Sequence, residues 1–265
     1  MRDLSKIGRI FYGIAITAIG IQSIYNRDLP YIVSLPDHFP LPAHITIACI
    51  FGIIFTMAGL CILFEKNARP VSLWFGGLLL FLFFFYCVPY EILTSPNYIH
   101  LGDWENAEKE LAFAGGALAI AGCFSAKNEA RLTGFLAKLI PCGPIIYAVT
   151  IVTFGILHFM EAKDAATYIP DWIPWHMFWI YFCGACLIGS GIAIIFKIRV
   201  SLFAGLLGLM IFIWVVSLHI PKVINAASPD ERTGEITSAF LALAYCGIAL
   251  VVAGNAKEKY FYPAA

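Results

Sequence analysis

The chain has 265 residues, 60% of them hydrophobic and 13% charged, and its seventeen basic and seventeen acidic side chains cancel to a formal net charge of zero. With a mean hydropathy of +0.82, that composition lies outside the range of ordinary soluble domains. It offers no basic patch for a nucleic acid, and the sequence carries no nucleotide-binding glycine loop, nucleophile elbow or zinc-protease helix.

Counting His as uncharged, uninterrupted runs extend over Ile10–Asn26, Pro40–Phe64, Pro70–Tyr90, Leu111–Ala126, Leu139–Leu157, Trp172–Phe196, Val200–Leu218 and Ile236–Ala256. A helix needs roughly 20 apolar residues to cross about 30 Å of hydrocarbon, so eight runs predict eight transmembrane helices, the fourth being the shortest. Met1–Arg9 is a short basic lead into the first run, which is therefore expected to stay in place as a signal anchor.

Charges sort by side. Arg2, Lys6, Arg9, Lys66, Arg69, Lys127, Arg131, Lys138, Lys197, Arg199, Lys257 and Lys259 fall on the side of the N-terminus; only Arg27, Lys109, Lys163, Lys222 and Arg232 fall opposite. The positive-inside rule then places both termini in the cytoplasm, of a plasma (inner) membrane. Thirteen of the seventeen carboxylates and all six histidines, His38, His44, His100, His158, His176 and His219, fall on the outer side, among tryptophans and tyrosines spaced as an interfacial belt.

Tyr12 and Gly20 recur as Tyr147 and Gly155, 135 positions on, and Pro36–Pro40 (PDHFP) recurs as Pro170–Pro174 (PDWIP). Gly59, Pro89, Gly115 and Gly122 recur as Gly191, Pro221, Gly247 and Gly254 at an offset of 132. These matches predict an all-α integral membrane fold of two tandem, parallel four-helix bundles, 1–126 and 139–265, joined by a cytoplasmic linker 127–138. An even number of spans per unit puts the pseudo-twofold axis along the membrane normal. The prolines should end extended segments, with Asp37 or Asp171 capping the next helix. Gly76 and Gly77, Gly115 and Ala119, and Ala185 and Gly189 are candidate close-packing positions.

Six cysteines, Cys49, Cys61, Cys87, Cys123, Cys142 and Cys246, lack paired spacing and read as small apolar residues. Cys183 and Cys186 form a Cys-x-x-Cys, either a redox dithiol or simple packing, about 12 to 17 Å below the outer helix end at 1.5 Å per residue. Glu91 and Glu110, at the membrane edge, are the carboxylates whose placement is costly enough to suggest function, unless Lys109 neutralises one of them. His158, His176 and His219 could converge on a metal opposite Glu108 or Glu110, but none has a second ligand at close spacing, so no metal is assigned.

The run GILHFMEAKDAATYIPDWIPWHMFWIYFCGACLIGSG, with His158, Pro170, Trp172, Pro174 and His176, resembles the DoxX family of membrane proteins. WENAEKELAFAGGALAIAG, with Trp104, Asn106, Lys109 and Glu110, is similar to the fourth helix of that four-helix unit. Ser23 stands where the second half has His158, and the second half lacks the Trp and Asn-Ala of the first. The resemblance implies a membrane subunit of a quinone- or thiol-linked redox system, in which Tyr90, Glu91, His158 or His219 would hydrogen-bond a quinone and an extracytoplasmic redox protein would be the partner. Two further readings are a small-molecule permease, whose mid-span path would have only Thr17, Thr56, Thr150 and Ser190 to work with, and a non-catalytic scaffold holding a partner protein.

Overall fold

A computed structural model of the chain describes residues 2–30, 33, 44–94, 99–126 and 131–256. His38, the His44 side chain, Asp37 and the PDHFP segment lie outside the described residues. Among those described there is no strand, and the chain is a succession of helices. Their order is α1 (Arg2–Asn26), α2 (His44–Leu63), α3 (Ala68–Leu82), a π-helix (Phe83–Cys87), α4 (Val88–Thr94), a 3₁₀ turn (Leu101–Trp104) and α5 (Glu105–Ala121). There follow α6 (Arg131–Ala137), a 3₁₀ turn (Ile140–Cys142), α7 (Gly143–Met160), α8 (Ala162–Thr167), α9 (His176–Ile195), α10 (Val200–Trp214), a second π-helix (Val215–His219), α11 (Ile220–Asn225) and α12 (Pro229–Asn255).

Seven of the helical segments are long and apolar enough to cross a membrane: Asp3–Asn26, Ile45–Leu63, Ala68–Leu93, Arg131–Met160, His176–Ile195, Val200–Asn225 and Pro229–Asn255. Helix α5, the counterpart of the shortest apolar run, has 17 residues and is buried without interruption from Ala112 to Ala121. It packs on α3, α7 and α12, so its small side chains meet protein where the other helices meet lipid.

The packing follows one circuit. Helix α1 lies against α2 and α12, α12 against α10, α10 against α9, α9 against α7, α7 against α5, α5 against α3, and α3 against α2. Two of these contacts, α1 with α12 and α5 with α7, join the two halves of the sequence, and α5 also touches α12. Between apolar helices in lipid, side-chain burial supplies little net drive, so close van der Waals approach must hold the contact. Both contacts have that form. A Cβ built on Gly115 would stand 2.8 Å from the Gly143 carbonyl oxygen, and one on Gly247 would stand 2.6 Å from that of Gly8. Gly76 approaches the Ala114 carbonyl in the same way, whereas Ala185 and Gly189 are exposed and Gly189 has open space around it. The α7–α9 contact is made instead through Gly155 and Gly184.

Helix ends are secured by specific groups. The Ser228 side chain accepts from Glu231 N–H at 3.1 Å, and the Glu231 carboxylate reaches back to Ala227 N–H at 2.7 Å, a capping box followed by Pro229 in the first turn. Basic residues close the other ends. Arg9, 5% exposed, donates to the terminal carbonyls Ile62 and Leu63 of α2 and pairs with Glu65 at 2.5 Å. Arg69 donates to Ala121 and Phe124 carbonyls at 3.0 and 2.9 Å, past the end of α5. Cations at helix C-termini meet both the orphaned carbonyls and the dipole. Asp171 does not cap α9: it is exposed, and the cap position belongs to Trp175, whose left-handed backbone (φ 60°) turns the chain into the helix.

Gly115→Val forces a branched side chain against the α7 backbone and should cost about 1 to 3 kcal/mol. Gly134→Ala, in open space on α6, should gain up to about 1 kcal/mol through helix propensity alone. Unfolding midpoints of the two variants in the same detergent provide the check.

Candidate functional site

Each π-helix has a local cause. Pro89 and Pro221 cannot donate to the carbonyl four residues back, and their rings would collide with it. The ladder widens before each of them: Val88 N–H bonds to Phe83 oxygen and Ile220 N–H to Val215 oxygen, a five-residue step in both cases. Such a step rotates the residues that follow around the helix axis and is a common feature of functional positions.

At the first π-helix Cys87, 2% exposed, and Glu91, 5% exposed, are buried. Glu110, on the second turn of α5, is fully buried and its Oε2 accepts from the Cys87 thiol at 2.8 Å. Its Oε1 is also buried and has no hydrogen-bonding partner among the described residues. Tyr86 lies within electrostatic reach of Cys87, Tyr90 and Glu110, and Glu91 within reach of Cys87 and Asp103. Glu91 and Glu110, both singled out in the sequence, thus lie near one thiol, and Tyr90 lies near its neighbour Tyr86.

Lys109 does not neutralise Glu110. Its ammonium pairs with Glu105 at 2.7 Å, one turn back, with Asn106 Oδ1 at 3.5 Å. Trp104 closes the 3₁₀ turn just before α5. Trp104, Asn106 and Lys109 therefore form the rim at the start of α5, and Glu110 faces inward beneath them. The same 3₁₀ turn is organised by His100, whose Nδ1 accepts from Gly102 N–H at 3.2 Å.

The second-half candidates are dispersed. His158 Nδ1 lies 2.8 Å from the Phe154 carbonyl of its own helix, which requires the proton on that nitrogen, and its ring sets edge-on against Phe154, centroids 5.1 Å apart. Phe154 in turn stacks on Tyr245 of α12. Trp172 is exposed, and His176, half-buried, is the first residue of α9. Both Cys183 and Cys186 are free thiols, and Cys183 Sγ accepts from Trp214 Nε1 at 3.0 Å. His219 ends the second π-helix within electrostatic reach of Lys222 and Glu235, which pair with each other at 3.0 Å. Among the described residues no three His, Cys, Asp or Glu side chains gather as a metal site would require, His158, His176 and His219 with Glu108 or Glu110 included.

Two clefts lie elsewhere. One, of about 200 Å³, opens between the end of α1 and the start of α12, where Thr237 donates to Gln22 Oε1 at 2.9 Å and Gln22 donates to the Thr233 carbonyl at 2.8 Å. The other is an apolar groove of about 640 Å³ on the α1, α10 and α12 face. Cys87, Tyr86, Lys222 and Glu235 are the site residues that sequence reasoning passed over. The signal available for them was the pair Pro89 and Pro221, each two positions beyond a polar side chain on an otherwise apolar span.

Comparison with known proteins returns no match: neither a family model, nor a curated protein, nor a solved structure matches the chain.

Cys87 and Glu110 should be energetically coupled. Cys87→Ala leaves a buried carboxyl without its one donor and should cost about 1 to 3 kcal/mol, whereas the same change made on a Glu110→Leu background should cost less, because both polar partners are then gone. A double-mutant cycle on unfolding free energies in detergent measures the difference, and a coupling near zero would show that the contact contributes nothing.

Proposed function

We propose that the chain is a DoxX-like multi-pass protein of the plasma (inner) membrane, with both termini cytoplasmic, that binds a quinone as a membrane subunit of a redox system. In this reading α5 is an eighth span, and residues 1–126 and 139–265 are two fused four-helix units joined by 127–138. Supporting the two-unit reading, the π-helices begin at Phe83 and Val215, the same offset that relates Gly59 to Gly191. The left-handed pairs at the inner turns, Glu65 with Asn67 and Lys197 with Arg199, keep that offset as well. The tyrosines agree: Tyr12 donates to the Phe113 carbonyl and Tyr147 to that of Tyr245, each at 2.8 Å.

The observation that carries the ligand reading is Glu110 Oε1. Buried polar atoms are nearly always hydrogen-bonded, and a carboxyl at the edge of a hydrocarbon layer is costly to keep. One whose second oxygen has no partner among the described residues, beside a thiol and Tyr86, suits a molecule that brings its own polar atom. A carboxyl gives a hydrogen bond to a quinone carbonyl when protonated and takes one from a hydroquinone hydroxyl when ionised, so the same group serves both forms of the couple. The apolar flanks Phe84 and Phe85, exposed on the same π-turn, suit entry from lipid.

Protein purified in mild detergent is extracted and the extract analysed for quinones by absorption and mass spectrometry. The expected result is a quinone near one per chain, its retention falling about tenfold in Glu110→Gln, roughly 1.4 kcal/mol of binding, with the unfolding midpoint unchanged. An empty extract from the parent chain, which also takes up no added quinone, would sink this reading and leave the non-catalytic scaffold, with partner capture as the next step.

A further inference from the structure

The polar residues around the two π-helices stand at matching positions. Cys87 and His219 end them, Tyr90 and Lys222 follow one turn later, and Asp103 and Glu235 come from the segment that leads into or begins the next long helix. Each pair is related by the offset that also relates Pro89 to Pro221. Among the described residues three buried side-chain atoms lack a partner, Ser72 Oγ, Glu110 Oε1 and His219 Nδ1, and the last two belong to these two places. We infer that the second half holds a binding site of its own, centred on His219, for a neutral, membrane-soluble phenol or hydroquinone.

The chemistry follows from what surrounds the imidazole. Lys222 and Glu235 neutralise one another at 3.0 Å, and the Lys222 ammonium also sits 4.6 Å over the Tyr168 ring, so the pair is held in place and leaves no net charge for an ionic ligand. His219 Nδ1 is the atom left open. Which ring nitrogen carries the proton is not fixed by any partner, and a hydroxyl group, being donor and acceptor at once, completes either tautomer. The helix that carries His219 is apolar and aromatic on its protein side: Trp214 and Leu218 pack against Ile169, Ile173 and Ile180. On the outer side of that stretch Val216, Ile220 and Ile224 are exposed, which makes the approach one from lipid. A flat ring carrying one hydroxyl meets all of these conditions.

This inference goes beyond the quinone reading, since a phenol with no redox chemistry satisfies it. Equilibrium dialysis of radiolabelled 4-octylphenol against the full chain in lipid nanodiscs, with empty nanodiscs subtracted, gives the test, and decylubiquinone is measured alongside. Expected are one saturable phenol site per chain, about tenfold weaker binding in His219→Ala, near-parental binding in His219→Gln, and no change in Glu110→Gln. As a readout on the parent alone, the histidine Nδ1 resonance of ¹⁵N-labelled protein should shift on saturation. No saturable phenol binding, equal binding by His219→Ala, or an unmoved resonance would each overturn the inference. Phenol binding without quinone binding would sink only the quinone reading, and quinone binding lost in Glu110→Gln without any phenol site would sink only this one.

Discussion

Everything in the fold depends on the approach of backbones at two glycine contacts, Gly8 with Gly247 and Gly115 with Gly143. In water, burial of these apolar helices would supply the drive by itself, but lipid tails are as apolar as leucine, and the helices gain only where atoms fit more closely than lipid can. The contacts bring α1 against α12 and α7 against α5, so the two sequence halves meet along both of these seams. Tyr12 and Tyr147 then fasten the inner pair, each phenol donating at 2.8 Å to a carbonyl of α5 or α12. The centre is filled by alanines, by large side chains such as Phe55, Phe113 and Ile151, and by the two tied tyrosines.

What happens at the helix ends is set by two prolines. A proline inside a transmembrane helix frees a carbonyl that something must answer. Here the helix answers by adding a residue to the turn, and Cys87 and Glu91 beside it are buried. The same device serves Cys87 and His219, which occupy equivalent places in the two halves and carry different side chains. One backbone solution thus supports two chemistries, a thiol donating to a carboxyl in one place and an open imidazole beside an ion pair in the other.

The helices are legible in the sequence because their signal is long and local: an uncharged run of roughly 20 residues predicts a membrane-length helix whatever it packs against. Even α5 coincides with the shortest of the runs, and that shortness has a reason in its enclosure by α3, α7 and α12. Glu91 and Glu110 stand out because a carboxylate is expensive at a hydrocarbon edge. Cys87 does not, since a lone cysteine on an apolar span is indistinguishable from packing, and its partner Glu110 lies across a loop on another helix. The expected cap at Asp171 fails for a related reason: the left-handed turn at Trp175 is a tertiary choice that no local preference announces. Arg9 and Arg69 count as topology signals in the sequence, whereas the structure uses both to close helix ends.

Polar side chains are unevenly distributed through the bundle, and most mid-span hydroxyls are bonded within their own helices. A permeating polar solute needs a succession of hydrogen-bonding partners across the hydrocarbon, and three of the four mid-span hydroxyls named for such a path, all but Ser190, are already bonded. Thr17 donates to the Gly13 carbonyl at 2.7 Å, Thr56 to Gly52 at 2.8 Å and Thr150 to Tyr147 at 2.8 Å, each within its own helix. Hydroxyls bonded back in this way present little more than a methyl group to their surroundings. By contrast, two of the three buried side-chain atoms without a partner among the described residues sit at the π-turns, on residues that approach the edge of the layer. The exposed side chains near them, Phe84 and Phe85 at the first π-turn and Ile220 and Ile224 after the second, are apolar. The unpartnered carboxyl oxygen and imidazole nitrogen therefore stand beside the two π-turns, and it is on these atoms that the proposed ligand readings rest.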